Sequence, residues 1–173
     1  MSARIEIAVV PISEEHIESY HSCLVEVCRE RQALAFYEPP QLESTRDFVR
    51  QNLLVCNPQF VALGEGRAVG WCDIIRIDQP TRAHTGILGM GVVREFWRGG
   101  IGRRLLLAAS ERAAQLYFDR VELTVYASNT AAIRLYESAG FIRDAVQPDP
   151  CKIDGLYQDA VAMVKVLPSA GAA

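Results

Sequence analysis

The stretch Val92–Leu105 reads VVREFWRGGIGRRL, with three glycines in four residues between an apolar segment and an amphipathic one. Glycine loses more backbone entropy on folding than any other residue, so such a cluster needs a physical reason. Main-chain N–H groups that converge on a bulky anion would supply one, because a helix N-terminus offers free donors and a partial positive charge. Arg98, Arg103 and Arg104 add formal charge. The stretch therefore predicts a phosphate or pyrophosphate site.

Two familiar nucleotide motifs do not fit this stretch. A P-loop needs a Lys-Ser or Lys-Thr pair after its last glycine, and the chain has none. A dinucleotide fingerprint needs a third glycine where Leu105 stands. A glycine turn that serves only tight packing of strand on helix stays open as an alternative, although the three arginines favour the anion site.

A second motif, SNTAAIRLYESAGF, spans Ser128–Phe141. Asn129 stands where a strand gives way to a helix, a position from which its side chain can cap the helix or bind a ligand amide. Tyr136 follows seven residues later, about two turns along the same helix face. Gly140 is a natural residue to end the helix. Taken alone, a tyrosine at position 136 favours core packing over a functional role.

Hydrophobic periodicity predicts the element order β-α-α-β-β-β-α-β-α-β-β, an α/β or α+β fold with a mixed sheet. A helix follows the N-cap residue Ser13, and a second is predicted from the cap at Ser44 to about Leu54. The later helices are predicted over Leu105–Phe118 and Thr130–Ala139. The predicted strands are Ile5–Val10, Phe60–Leu63, Ala68–Ile77, Thr85–Val93, Val121–Ala127, Phe141–Val146 and Tyr157–Val166.

Length and charge narrow the class of protein. With 173 residues we expect a single domain over residues 3–167 and a flexible tail over 168–173. A net charge of −3 argues against a general nucleic-acid binder. No apolar run approaches the roughly 20 residues that span a bilayer, and the N-terminus does not read as a signal peptide. We therefore expect a cytoplasmic protein with no nucleic-acid or membrane partner.

The five cysteines are scattered and form no C-x-x-C pair, which is typical of small buried side chains in a reducing compartment. The three histidines show no ligand spacing with them, so no metal site is expected. The cysteines are Cys23, Cys28, Cys56, Cys72 and Cys151.

The two motifs and the element order resemble the GCN5-related N-acetyltransferase (GNAT) superfamily over nearly the whole chain. One position departs: where the family pattern [QR]-x-x-G-x-[GA] begins with Gln or Arg, this chain has Trp97. The segment Lys152–Met163 is similar to the branch that acts on small amines, amino acids or protein N-termini, including ribosomal proteins. The resemblance implies six or seven mostly antiparallel strands, about four helices, and a splay between the fourth and fifth strands.

The resemblance also implies that acetyl-CoA is the co-substrate, held between the strands Thr85–Val93 and Val121–Ala127. Tyr136 would lie beside the thiol sulfur. The pantetheine would contact Asn129 and the main-chain groups of Met90, Gly91 and Val92. The pyrophosphate would be held by the amides of Arg98, Gly99, Gly100, Ile101, Gly102 and Arg103.

Acetyl transfer requires a deprotonated amine, because an ammonium group has no lone pair to attack the thioester. The N-terminus branch carries a carboxylate where this chain has Thr124, so we take Glu122, two residues earlier on the same strand face, as the candidate base. His84, Glu38 and a water chain stay open as alternatives. Tyr37, Glu38 and His84 are predicted to bind the acceptor.

The sequence thus predicts an acetyl-CoA-dependent N-acetyltransferase that acts by direct attack in a ternary complex, without a metal. A small primary amine such as an amino acid is the expected acceptor. A protein N-terminal or side-chain acetyltransferase is the alternative, and a non-catalytic acyl-CoA sensor is a further one. A homodimer is possible.

Overall fold

The computed structural model describes residues 5–30 and 38–168, and it forms one mixed sheet with α-helices on both faces. The helices are α1 (Ile17–Arg29), α2 (Leu42–Leu54), α3 (Ile101–Gln115) and α4 (Thr130–Ser138). The strands are β1 (Ile7–Pro11), β2 (Gln59–Gly64), β3 (Arg67–Arg76), β4 (Thr85–Val92), β5 (Arg120–Tyr126), β6 (Ile142–Ile153) and β7 (Leu156–Val166).

The seven strands lie in the order β1-β2-β3-β4-β5-β7-β6, which confirms the predicted fold class and element order. Neighbours are antiparallel except for the parallel pair β4–β5. That parallel ladder is short, running from Thr85↔Arg120 to Ile87↔Glu122. Beyond it the two strands separate, which confirms the predicted splay between the fourth and fifth strands. We call this space the β4–β5 gap.

The sheet separates two cores. One lies under α3 and α4 and includes Cys72 and Ile74 of β3. The other lies under α1 and includes Trp71, whose ring meets Tyr20 edge-on at 5.7 Å between centroids. Since side chains alternate along a strand, Asp73 shares the α1 face with Trp71.

Several predicted boundaries were wrong. Helix α2 begins at Leu42 after Gln41, so Ser44 lies inside the helix and is not its cap. Helix α3 starts at Ile101 rather than Leu105, because the glycine turn itself forms its N-terminus. Strand β6 extends past Val146 to Ile153 in a long hairpin with β7.

Cys23, Cys28 and Cys72 are buried as predicted, whereas Cys56 is exposed and Cys151 is half-buried. Cys56 follows the end of α2 and has a left-handed backbone, with φ 58°. Within residues 5–30 and 38–168, no helix is long and apolar enough to cross a membrane. The same residues contain no cluster of three or more metal-binding side chains.

Candidate active site

The glycine turn, residues 98–103, presents main-chain donors to solvent. Arg98 (φ 64°) and Gly100 (φ 76°) both adopt the left-handed conformation, which swings the chain from β4 into α3. The Arg104 amide donates to the Gly100 carbonyl at 3.2 Å, the first turn of the helix. The amides of the residues just before Arg104 therefore have no helical acceptor. No acidic side chain lies in this first turn, so the turn suits an anion.

Trp97, the departure from the family pattern, ties this turn to the strand. Its indole N–H donates to the Val92 carbonyl at 2.6 Å, and the Arg94 guanidinium lies 5.6 Å from the ring centroid. Arg104 donates to the Ile7 carbonyl at 2.9 Å and so points toward β1. Exposed Arg98 is left to supply formal charge at the turn, together with exposed Arg103.

Gly102 lets the first turn of α3 lie close to β4 and α4. A Cβ atom there would stand 3.0 Å from Leu135 Cδ2 and 3.4 Å from Met90 Cε. With a Cβ at this position, the ends of the Leu135 and Met90 side chains would have to give by a few tenths of an ångström. The turn, β4 and α4 are therefore held together at one end of the β4–β5 gap.

One edge of β4 faces the gap. The Val93 amide donates to the Val69 carbonyl (2.9 Å) and the Ile77 amide to the Thr85 carbonyl (3.0 Å), so odd-numbered residues of β4 turn their main chain toward β3. Because the direction of the main-chain groups alternates along a strand, the N–H and C=O groups of Met90 and the other even-numbered residues face the gap. This corrects the expectation for Gly91, whose main-chain groups face β3. Its missing side chain instead makes room for the Trp71 ring, 2.4 Å from a Cβ built there.

The main-chain groups of Met90 and Val92 face the gap, and their contact with a pantetheine arm stays a prediction. The Val92 carbonyl already accepts from Trp97, so its amide is the group that a ligand would use.

Asn129 is the N-cap of α4, where its side-chain oxygen accepts from the Ala132 amide at 3.1 Å. This cap fixes the side chain just past the end of β5. Because the oxygen serves the cap, a donor role toward a ligand would fall to the amide nitrogen. The predicted contact with a pantetheine arm stays a prediction.

Tyr136 is 8 % exposed, on the face of α4 that packs into the core. Its ring lies 5.8 Å from that of Phe141. Burial raises the pKa of Tyr136, with a smaller contribution from the Cys72 thiol of β3, so the hydroxyl stays protonated at neutral pH. Cys72 is opposite Met90 in the β3–β4 register. Tyr136 thus shares the core under α3 and α4 with Cys72, the β3 neighbour of Met90.

Glu122 forms ion pairs with two arginines, Arg120 at 2.7 Å and Arg82 at 2.9 Å. Partial burial alone would raise its pKa, but the hydrogen bonds and charges of Arg120 and Arg82 lower it overall. Glu122 also belongs to the last paired position at the closed end of the gap. These contacts favour a structural ion pair over the predicted role as base.

Two of the three residues predicted to bind the acceptor, His84 and Glu38, are among the described residues. His84 is exposed and precedes β4, and Thr85 and Gly89 are about 13 Å apart along the strand. His84 thus lies at the opposite end of β4 from the glycine turn. Glu38 is exposed and lies four residues before the start of α2 at Leu42. Tyr37 lies outside the described residues, as does the predicted tail beyond Pro168.

A pocket of about 360 Å³ opens on the α1 face of the sheet, and we call it the aromatic pocket. Its volume is in the range of small-molecule sites. It reaches β4 at Gly89 and Met90, next to the edge that faces the gap. Its walls come from α1, α2, β3 and β4, and they are formed by Tyr20, Leu24, Pro40, Ser44, Thr45, Phe48, Trp71, Asp73, Gly89 and Met90.

Asp73 is the only charged side chain among the described residues of this pocket. It is 6 % exposed, and its Oδ1 lies 3.0 Å from the place where Gly89 would carry a Cβ. Burial raises its pKa from 3.8 to about 7, although a hydrogen bond from the Gly89 amide opposes the rise. Sequence reasoning missed this residue. The available signal was a lone aspartate inside the apolar run AVGWCDII.

The raised pKa makes Asp73 a source of instability at alkaline pH. Between pH 4 and 7 the folded state holds a proton that the unfolded state has released, so stability falls as pH rises through this window. We expect denaturant titration at pH 8 to give Asp73→Asn a free energy of unfolding about 2–4 kcal/mol higher than that of the parent. At pH 4 the two should differ little. Asp78→Asn, at an exposed loop position, is the matched control. Equal stability of parent and Asp73→Asn at both pH values would contradict this.

Comparison with known proteins identifies the family of this chain. The model of the acetyltransferase (GNAT) family matches residues 21–141. An L-amino acid N-acetyltransferase of Escherichia coli (strain K12), AaaT, is 30% identical over 130 residues, which is 73% of this chain and 80% of that protein.

Solved structures share the fold. A GNAT-family acetyltransferase from Streptococcus pneumoniae superposes with a TM-score of 0.87 at 23% identity, covering 94% of this chain and 100% of the other. A phosphinothricin acetyltransferase from Sinorhizobium meliloti, solved in complex with acetyl-CoA, gives 0.89 at 18% identity, covering 96% and 91%.

Proposed function

The chain belongs to the GNAT acetyltransferase family, and from this premise we propose that it transfers the acetyl group of acetyl-CoA to the primary amine of a small molecule, such as an amino acid. The family membership supports an acetyl-CoA-dependent acyltransferase. The nature of the acceptor is argued from the pocket.

We place acetyl-CoA in the β4–β5 gap. The amides of the glycine turn would bind the pyrophosphate, and Arg98 and Arg103 would add charge. The gap-facing edge of β4 at Met90 and Val92 would pair with the pantetheine arm, with Asn129 opposite. The Val92 amide is a suitable donor to the thioester carbonyl oxygen as negative charge develops there.

Tyr136 would act on the leaving group. In direct transfer the amine lone pair attacks the carbonyl carbon, a C–N bond forms, and the C–S bond breaks. The departing sulfur needs a proton or a hydrogen bond, and a buried tyrosine that stays protonated can supply it. Both substrates are held at once, so positioning supplies a large part of the rate.

The observation that carries the choice of acceptor is the aromatic pocket, which ends on Gly89 and Met90 beside the gap. Three aromatic rings and one carboxylate suit an apolar or aromatic body that bears a cationic amine. The E. coli relative is named for amino acids, which supports the same class. A carboxylate on such an acceptor would lie toward the pocket mouth, away from Asp73.

A panel of amines tests this proposal. We expect free-thiol release from acetyl-CoA, with a matching acetylated product by mass spectrometry, for aromatic amino acids and aromatic primary amines. Their kcat/KM should exceed that of N-terminal peptides by about tenfold or more, since a peptide must leave most of its length outside the pocket. L-Phenylalanine and 2-phenylethylamine form a matched pair that differs only in the carboxylate. Acetylation confined to peptides or protein N-termini would overturn the small-molecule proposal.

A further inference from the structure

The reaction requires a proton acceptor for the incoming amine, and the described residues bring one group into the right place. Glu122 is neutralised by two arginines at the closed end of the gap, and His84 lies beyond that end. Asp73 is instead buried on the wall of the aromatic pocket, over Gly89, one residue from Met90 at the gap-facing edge. Of the acidic and basic side chains described, it alone is buried.

We propose that Asp73 is the general base: its carboxylate receives the ammonium group of the acceptor in the aromatic pocket and takes one proton from it. This proposal rests on the function proposed above. Asp73 would meet the amine on the α1 face of the sheet, whereas Tyr136 approaches the thioester from the opposite core, with Cys72. The amine would thus arrive on one side of the reacting carbonyl and the sulfur leave on the other.

The surroundings of Asp73 keep it available for this role. Tyr20 of α1 faces it, and burial, with a smaller contribution from the Asp73 charge, raises the pKa of that phenol. Gly89 of β4 donates its amide, and Gln59 is opposite in the β2 register. Cys72 is the chain neighbour of Asp73 on the other face of the sheet. The Nδ1 atom of His21 lies 3.0 Å from the hydroxyl oxygen of Thr45, which lines the pocket. No lysine or arginine is among the described residues that line the pocket.

Magnitudes favour Asp73 over Glu122. An alkyl ammonium group has a pKa of about 10.4, so transfer of its proton to a carboxylate of pKa about 7 is unfavourable by roughly 10³. Transfer to Glu122 is less favourable still, because Arg120 and Arg82 lower the pKa of that carboxyl. A base near neutral pH is the efficient one.

The proton balance is complete without a further reactant. The ammonium loses one proton to Asp73, and after the C–N bond has formed the nitrogen loses its second proton to a solvent water. The sulfur gains one proton as the C–S bond breaks, with Tyr136 as donor, and solvent restores Tyr136 and Asp73. The net result is amide, CoA and one released proton.

The test compares the pH profiles of the parent and Asp73→Asn with the best amine of the panel. The parent should show an acidic limb of kcat/KM near pH 7, and Asp73→Asn should lose it, with kcat at pH 7 about 10²–10⁴-fold lower and acetyl-CoA affinity unchanged. Asp78→Asn is the control for loss of a carboxylate and should retain the limb. Thermal unfolding verifies that Asp73→Asn is folded.

A second measurement separates proton transfer from mere binding of the ammonium. Over a series of primary amines of decreasing basicity, the defect of Asp73→Asn in kcat should shrink, because a weakly basic amine is already neutral. A defect confined to KM, or one independent of basicity, would overturn the base role. So would an acidic limb that persists in Asp73→Asn but disappears in Glu122→Gln or His84→Ala. If the parent acetylates no amine at all, the proposed function fails, whereas an active Asp73→Asn with an unaltered profile refutes only this assignment.

Discussion

Gly100→Asp is expected to weaken acetyl-CoA binding by about 30- to 1000-fold, measured by isothermal titration calorimetry. The residue is the N-cap of α3 with φ 76°, and a Cβ at this position would meet no other atom within 4 Å. The carboxylate would therefore project beside the amides proposed to hold the pyrophosphate. Two like charges about 4 Å apart repel by roughly 4 kcal/mol at an effective dielectric constant of 20, and by less where solvent screens them.

Gly100→Asn is the matched control, because it has the same shape without the charge and both residues tolerate the left-handed conformation. A carboxylate near a helix N-terminus favours folding, so Gly100→Asp should not lower the melting temperature through the helix. Equal acetyl-CoA affinity in Gly100→Asp and the parent would show that the glycine turn does not bind the pyrophosphate. Equal losses in the Asp and Asn variants would make the effect steric.

Tyr136→Phe should lower kcat by about 10²–10⁴-fold and leave acetyl-CoA affinity nearly unchanged. The ring that packs on Phe141 is kept, and only the hydroxyl proposed to protonate the leaving sulfur is lost. An interaction made mainly in the transition state appears in kcat rather than in binding.

Single-turnover measurements with enzyme in excess report this chemical step without interference from product release. Tyr117→Phe, at a position that is 74% exposed, is the control and should match the parent. An unaltered single-turnover rate in Tyr136→Phe would return Tyr136 to the role of a core side chain.

The sequence predicted those parts of the site that depend on neighbouring residues in the chain. The glycine turn and the Asn129 cap are local signals, since the left-handed backbone and the capping bond involve residues within four positions. The element order followed from periodicity in the same way. Contacts between residues on different strands could not be predicted in this way, because they depend on how the strands pair.

The base illustrates this limit. Glu122 was chosen by its position on one strand. Arg120 lies on the same face of that strand, but the second partner, Arg82, precedes β4 and becomes visible only when the β4–β5 ladder is known. Asp73 faces Gly89 through the β3–β4 register, and it meets Tyr20 through the packing of α1 on the sheet. The misplacement of Gly91 has the same origin, because the direction of its main chain is set by hydrogen bonds to β3.

A crystal structure of the protein with acetyl-CoA and the amine of highest kcat/KM, in the Asp73→Asn variant to slow turnover, tests the central claim most directly. The account predicts the pyrophosphate on the amides of residues 98–103 and the thioester beside Met90. It predicts the amine in the aromatic pocket, with its nitrogen within hydrogen-bond distance of residue 73. Acetyl-CoA outside the β4–β5 gap, or an amine that reaches the thioester without entering the aromatic pocket, would contradict it.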